Sequence, residues 1–295
     1  MTSTTNTNSW TVLSDDDVCK RTDFICDVYQ DRYIVIAGGI PQSAVIMYDV
    51  TKQSYITLPD LPDHGDWKGV VLSDYLYVFL ESCGIHRICL SRRVKWESVH
   101  DFKLEDDFII DMVTDGSHIY LVDWNGVIID YNPSTNKLTP LKQSNHQMPR
   151  DDFFVAVVDS KIYIMGGSQG LVDHTATLDL DTNVYDIVTQ SWSQAPPLPT
   201  PLCKSKTTTI DRWIVLTGGY RRSNYVMNNQ IFVYNTLSQQ WTTASAEISR
   251  PCSFHQCVKL GSRMIVVGGY CDDIGGCSPI KSLHIKHIIP DWYFS

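Results

Sequence analysis

The sequence predicts an all-β chain made of six similar sheet units, and three observations carry that expectation. A short apolar run recurs along the chain, closed in four places by Gly-Gly. Downstream of each run, a pair of aromatic or apolar residues recurs at a constant seven-residue interval. The composition, 11% aromatic with 15 Tyr and 8 Trp against only 19% charged residues, is that of a sheet-rich protein rather than a disordered or coiled-coil one.

The apolar runs that end in Gly-Gly are 33–39 (YIVIAGG), 162–167 (IYIMGG), 213–219 (WIVLTGG) and 264–269 (MIVVGG). Between the first and second, the strand-like runs 76–80 (LYVFL) and 119–122 (IYLV) fall where two more units belong, without the glycines. Taking Gly38, Leu80, Val122, Gly166, Gly218 and Gly268 as equivalent gives steps of 42, 42, 44, 52 and 50 residues, hence six units.

The seven-residue pairs are Tyr48 and Tyr55, Cys89 and Trp96, Tyr131 and Leu138, Tyr185 and Trp192, Tyr234 and Trp241, and Ile285 and Trp292. Polar turns such as 132–136 (NPSTN) and 235–238 (NTLS) lie inside the pairs, where Asn, Pro and Ser supply turn geometry. Each unit therefore carries a hairpin at a fixed place. Proline-bearing segments such as 58–62 (LPDLP) and 195–199 (APPLP) follow, and proline there cannot extend the sheet inward.

Apolar strand, Gly-Gly, loop, strand with Tyr, turn, Trp and proline loop, in this order over nearly the whole chain, resemble the Kelch repeat. The resemblance implies a six-bladed Kelch-type β-propeller, with four antiparallel strands per blade around a central channel. Physically, one blade cannot bury both its faces alone, and a ring of stacked blades can. A single domain over 1–295 is expected, with 1–8 as a flexible tail. Blades 2 and 3, which lack Gly-Gly, and of which the third has Leu138 in place of Trp, are expected to be distorted or shorter. The segment 9–13 (SWTVL) looks like an outer strand with no inner strands before it, so the N-terminal strand is expected to close the last blade. The alternative is that 292–295 completes that blade unaided.

The net charge of −9 argues against non-specific nucleic-acid binding, which is driven by cationic side chains. No basic flank followed by an apolar run opens the chain, and no stretch is long enough to cross a bilayer, so neither an export signal nor a membrane role is expected. Nine cysteines, an odd number, together with no usable glycosylation sequon, point to free thiols in a reducing compartment, cytoplasmic or nuclear.

Several motifs imitate chemistry. Gly166-Gly167-Ser168-Gln169-Gly170 fits the nucleophile-elbow pattern, but that elbow needs a strand-to-helix turn, and here the glycines belong to the repeat. Cys252, Cys257, Cys271 and Cys277, with His255 nearby, crowd the last unit, yet the spacing of the second pair is too wide for a zinc knuckle. Cys271 and Cys277 are expected as exposed thiols, for which a redox role is the alternative. The acidic runs 15–17 and 105–107 lack the pattern of a calcium loop and read as solvated turns. No cofactor, metal or catalytic residue is therefore expected.

In a four-stranded blade, the loop between the second and third strands and the loop entering the first strand emerge on the same side. For the later blades these loops hold Arg150, Lys204, Lys206, Arg221, Arg222 and Arg250, with Tyr220, Tyr225 and Tyr270 beside them. Arg and Tyr are the types that most often dominate interface energetics. The candidate partner-binding set is Arg150, Lys204, Tyr220, Arg221, Arg222, Tyr225, Arg250 and Tyr270, facing an acidic or phosphorylated protein segment. Blades 1 to 3 offer Asp63, His64, Asp66, Trp67, Glu105 and Asp106 on the same rim, making it electrically two-sided.

In proteins that this one resembles, the loop face holds a peptide or partner protein, and some relatives present substrates to a ubiquitin ligase. Such adaptors usually carry a BTB or F-box domain, for which the roughly twenty residues before the first blade leave no room, so adaptor function would need a separate partner chain. The function expected is a monomeric, non-enzymatic interaction module. The alternative is an enzyme of the mutarotase or metal-dependent kind found among Kelch propellers, although the Glu, Asp and His array of the specifier type is not seen here.

Overall fold

The run Tyr33–Ala37 shows how each repeat folds. Ile34 and Ile36 point to one side, Val35 and Ala37 to the other, and all four are fully buried. A strand that is apolar on both faces belongs inside a sheet covered on both sides. The structure is a computed structural model that describes residues 10–40, 44–102, 109–144, 150–169, 177–178, 180–221, 224–271, 276–277 and 279–289. In it this run is the second strand of an antiparallel sheet made by Ile25–Tyr29, Tyr33–Ala37, Val45–Asp49 and Ser54–Leu58, in chain order.

Five further sheets repeat this plan, so the chain is a six-bladed β-propeller. The innermost strands Ile25–Tyr29, Lys68–Leu72, Ile109–Thr114, Phe154–Val158, Lys206–Ile210 and Gln256–Leu260 each touch the next around a closed ring. Among the described residues the buried apolar side chains form six clusters, each filling the seam between two neighbouring blades. Ile34 and Ile36 pack with Leu260, Ile265 and Val267 of blade 6, whereas Val35 and Ala37 pack with Leu76 and Val78 of blade 2. Fully burying such a side chain contributes about 1.5–3 kcal/mol, so one alternating strand holds two seams at once. No helix among the described residues is long and apolar enough to cross a membrane.

The seven-residue pairs are cross-strand neighbours on the third and fourth strands. Tyr48 faces Tyr55, Tyr131 faces Leu138, Tyr185 faces Trp192 and Tyr234 faces Trp241. Blade 2 departs from this: its turn is one residue longer, so Trp96 faces Ile88 rather than Cys89, and the register shifts once more between Ile85 and His86. Each of three tryptophans also reaches back to the preceding blade. The indole N–H of Trp96 donates to the Pro59 carbonyl at 3.1 Å, that of Trp192 to Lys142 at 2.7 Å and that of Trp241 to Pro196 at 3.2 Å. Each half-buried indole thus spends its polar atom on the seam that its ring helps fill.

The outer strand of blade 6 is Thr11–Ser14, antiparallel to Ile280–His284. Trp10 Nε1 donates to the Glu247 carbonyl of blade 5 at 2.8 Å, the same backward reach that Trp96, Trp192 and Trp241 make. The N-terminal strand therefore closes the ring. Ile285, expected to begin a pair with Trp292, lies instead in the short 3-10 turn Ile285–His287. Trp292 and the 1–8 segment lie outside the described residues.

Gly-Gly ends the second strand in four blades because the chain must turn left-handed there and pass close to the loop entering the blade. In blade 6, Gly268 and Gly269 have φ of 62° and 87°. A Cβ on Gly39, Gly167, Gly219 or Gly269 would lie between 2.6 and 2.8 Å from the carbonyl oxygen of Thr22, Asp151, Cys203 or Ser253, respectively. One residue later the chain pairs with that loop, as Thr22 with Ile40, Asp151 with Ser168, Cys203 with Tyr220 and Ser253 with Tyr270.

Blades 2 and 3, without Gly-Gly, keep all four strands; only the connection from second to third strand is short, from Leu80 to Gly84 and from Asp123 to Ile128. Blades 4, 5 and 6 instead raise small hairpins there: Ser168–Gln169 with Thr177–Leu178, Tyr220–Arg221 with Val226–Met227, and Tyr270–Cys271 with Gly276–Cys277.

Candidate functional site

On the face that bears these hairpins, the loops converge on the mouth of a central channel of about 570 Å³. Asp23, Asp152, Lys204 and Phe254 hold equivalent places, two residues before an innermost strand, with φ of 50°, 57°, 52° and 57°. With Asp66, they line the mouth.

Lys204 Nζ lies 2.7 Å from Asp152 Oδ1 and 4.9 Å from the centroid of the Phe254 ring. Tyr220 stacks on Phe254 at 6.4 Å on one side and on Tyr225 at 5.8 Å on the other. Asp152, Lys204, Phe254, Tyr220 and Tyr225 thus form one strip, from the channel mouth to the tip of the blade 5 hairpin. Burial lowers the affinity of Lys204 for its proton, but Asp152, Asp23 and Asp66 outweigh that and raise its pKa. Tyr225 is 65% exposed and the adjacent Val226 56%, so the outer end of the strip offers apolar area to a partner.

The structure sorts the eight expected rim residues. Lys204, Tyr220 and Tyr225 are brought together in this strip. Arg221 is exposed on the same hairpin, Tyr270 is 40% exposed on the blade 6 hairpin, and Arg250 is half-buried on the loop entering blade 6. Arg222 lies outside the described residues. Arg150 is a correction: it is 2% exposed, and its Nη1 donates to the Asp181 carbonyl at 3.3 Å. Its equivalent in blade 1, Arg21, is fully buried and donates to the carbonyls of Gly38 at 2.7 Å and Ala44 at 2.8 Å. These arginines tie the entering loop to the loop after the second strand. The recurrence of Arg-x-Asp-Phe at 21–24 and 150–153 is the sequence sign of that framework role. Asp23, Asp152 and Phe254 were missed, although their alignment with Lys204 across the repeats identifies them.

Lys206 stands not on the rim but in the channel wall, its Nζ 4.0 Å from Asp111 Oδ2. Deeper in the same wall, Asp27 accepts from the backbone N–H of Val28 and, across the blade seam, from that of Val71, both at 2.7 Å. Burial nevertheless raises its pKa to about 6. Because the folded pKa lies above the unfolded one, the favourable contribution is complete below about pH 4 and is lost as pH rises through 6. The stability difference between Asp27→Asn and the unmutated chain is expected to move in favour of Asn by ~1–3 kcal/mol between pH 4 and pH 8. Urea unfolding at the two pH values measures it, and a difference that does not change with pH would show that Asp27 is ionised throughout.

The remaining motifs resolve structurally. Ser168 is 2% exposed and begins a rim hairpin, paired with Leu178 within it and bridged to Asp151 on the entering loop. His255 is fully buried with Nε2 2.8 Å from Thr217 Oγ1, and burial lowers its pKa to about 3. Cys257 lies on the innermost strand of blade 6, buried as expected. Cys271, expected exposed, is fully buried, whereas the side chain of Cys277 lies outside the described residues. Asp15 and Asp17 pair with Lys20, and the 105–107 run lies outside the described residues. Among the described residues, no three His, Cys, Asp or Glu side chains group as a metal site requires.

A family model described as the KLHDC2/KLHL20/DRC7 Kelch-repeats domain matches residues 118–269. The chain is 29% identical over 175 residues to Kelch-like protein terF of Aspergillus terreus, covering 54% of this chain and 38% of that protein. It is 24% identical over 145 residues to human Kelch repeat and BTB domain-containing protein 12, covering 44% of this chain and 22% of that one. Against Kelch repeat and BTB domain-containing protein A55 of Vaccinia virus it is 27% identical over 135 residues, 45% of this chain and 23% of that protein. These matches span well under half the length of the relatives.

Proposed function

This chain belongs to the Kelch-repeat family of β-propellers, and from that premise we propose that it is a non-catalytic interaction module that holds a partner protein on the loop face. The observation that carries the reading is the Tyr225, Tyr220, Phe254 and Lys204 strip. Stacked aromatic rings offer rigid apolar area at low entropic cost, and the lysine paired with Asp152 against Phe254 holds the inner end of the strip in place.

Arg221, exposed on the hairpin, favours a carboxylate-bearing segment, and Asp152, which already pairs with Lys204, together with Asp23 and Asp66 keeps the charge of that segment away from the mouth. The partner proposed is therefore an acidic segment laid along the blade 5 hairpin, bound by a monomeric chain in the cytoplasm or nucleus.

Affinity capture with the whole chain tests this. The double change Tyr220→Ala with Tyr225→Ala is expected to weaken capture at least ~10-fold, as loss of a hot-spot pair does, and Arg221→Glu is expected to weaken it further. Tyr225→Ala alone should leave the melting temperature unchanged, because the ring is mostly exposed. Unchanged capture by the folded double variant removes this surface from consideration.

A further inference from the structure

In blade 6, Ser253 and Tyr270 exchange two backbone hydrogen bonds, Ser253 N to Tyr270 O at 3.1 Å and Tyr270 N to Ser253 O at 2.8 Å. They are thus a hydrogen-bonded pair of an antiparallel ladder. Cys252 precedes Ser253 and Cys271 follows Tyr270, so continuing the antiparallel pairing by one step sets the two cysteines opposite each other at a non-hydrogen-bonded position. There the Cα atoms of opposed residues come to about 4.5 Å and their side chains lie on the same face. That separation falls inside the range of roughly 4.4–6.8 Å that a disulfide spans. The two side chains are in contact, and both residues are buried, at 3% and 0% exposure.

The place of Cys252 in the repeat sharpens the point. Its equivalents in blades 1 and 4 are Arg21 and Arg150, whose guanidinium groups fasten the entering loop to backbone carbonyls. Blade 6 has no arginine there and has a thiol pair instead. The carbonyl of Cys252 also accepts from Gly219 N of blade 5 at 2.8 Å, so the residue is held at the seam from its backbone side.

We propose that Cys252 and Cys271 form a reversible cross-strand disulfide under oxidising conditions, fastening the rim hairpin of blade 6 to the loop that enters that blade. Each thiol gives up one proton and one electron as the S–S bond forms. A peroxide accepts both pairs, its O–O bond breaks, and two waters leave when the oxidant is hydrogen peroxide. The bond would link the segment bearing Phe254 to the one bearing Tyr270, and so stiffen one wall of the channel mouth. The contact with Cys271 and burial both raise the Cys252 thiol well above its usual range, so oxidation is slow at neutral pH and faster in alkali.

The test treats the intact chain with hydrogen peroxide, blocks remaining thiols by alkylation under denaturing conditions, and maps the peptides by mass spectrometry. Expected is a mass lower by two hydrogens, a peptide joining Cys252 to Cys271, its loss on reduction, and a melting temperature raised by roughly 5 °C relative to the reduced chain. Cys252→Ala and Cys271→Ala should each abolish the linked peptide, while Cys257→Ala should keep it. A link through Cys277 or Cys257, or oxidation of Cys252 and Cys271 to separate acids, overturns the proposal, as does a chain that remains fully reduced. If either alanine variant fails to fold, the map of the unmutated chain decides alone.

Discussion

Gly269→Ala is expected to lower the unfolding free energy by ~2–4 kcal/mol, whereas Gly116→Ala is expected to cost only ~1 kcal/mol, although the two glycines have nearly the same backbone angle. Their φ values are 87° and 91°. A Cβ at Gly269 would lie 2.5 Å from His255 Cβ and 2.8 Å from both His255 Cα and the Ser253 carbonyl oxygen, while one at Gly116 meets nothing within 4 Å. The left-handed conformation penalises both alanines equally. Only at Gly269 must the loop entering blade 6 also move, and that loop holds the Ser253 and Tyr270 pairing and the bond that the Cys252 carbonyl accepts from Gly219 N. Urea unfolding of the two variants separates the effects, and equal losses would show that the close approach is soft.

Deleting residues 1–16 is expected to remove ~5 kcal/mol or more, a large part of the stability of an ordinary domain. The strand Thr11–Ser14 joins three blades. It pairs with Ile280–His284 in blade 6, Trp10 bonds to Glu247 of blade 5, and in blade 1 the Tyr48 hydroxyl donates to the Leu13 carbonyl and that of Tyr55 to Ser14 Oγ, both at 2.6 Å. Each net hydrogen bond contributes about 1 kcal/mol, and the loss also leaves the edge of Ile280–His284 open to other chains. Thermal melting and size-exclusion chromatography should show a less stable, associating protein, and a peptide of residues 8–18 added in trans should restore part of the melting temperature. A truncated chain that melts like the full one would mean that the three-stranded sixth blade closes the ring unaided.

The candidate site was legible in part. Tyr220, Tyr225 and Lys204 could be placed on the rim because the repeat fixes which loops emerge there. Arg150 could not be placed correctly from its loop alone. Its burial depends on the carbonyl of Asp181, 31 residues away, being turned inward to meet it. Lys204 read as a free cation for a partner, and in the folded chain it already has Asp152 and the Phe254 ring as neighbours. Cys271 read as exposed because Asp and Gly surround it, yet the pairing of its neighbour Tyr270 with Ser253 turns the thiol inward.

Four strands per blade followed from the resemblance to the Kelch repeat, and which segment closes the ring was decided by the pairing of Thr11–Ser14 with Ile280–His284. What the order of amino acids by itself determined is the six repeats, the hairpin in each and the Gly-Gly turns. These are consequences of short-range periods: alternation every two residues, pairs seven apart, and glycine where a left-handed turn is needed. What only the tertiary structure decided is which side chain meets which across a seam. Thr11 opposite Ser282 and the Trp10 bond to Glu247, 237 residues away, arise only once the blades stand in a circle. The charge of the channel mouth and the opposition of Cys252 to Cys271 are of the same kind. Local sequence sets the direction of a side chain within its own blade, and the packing of six sheets sets what it finds there.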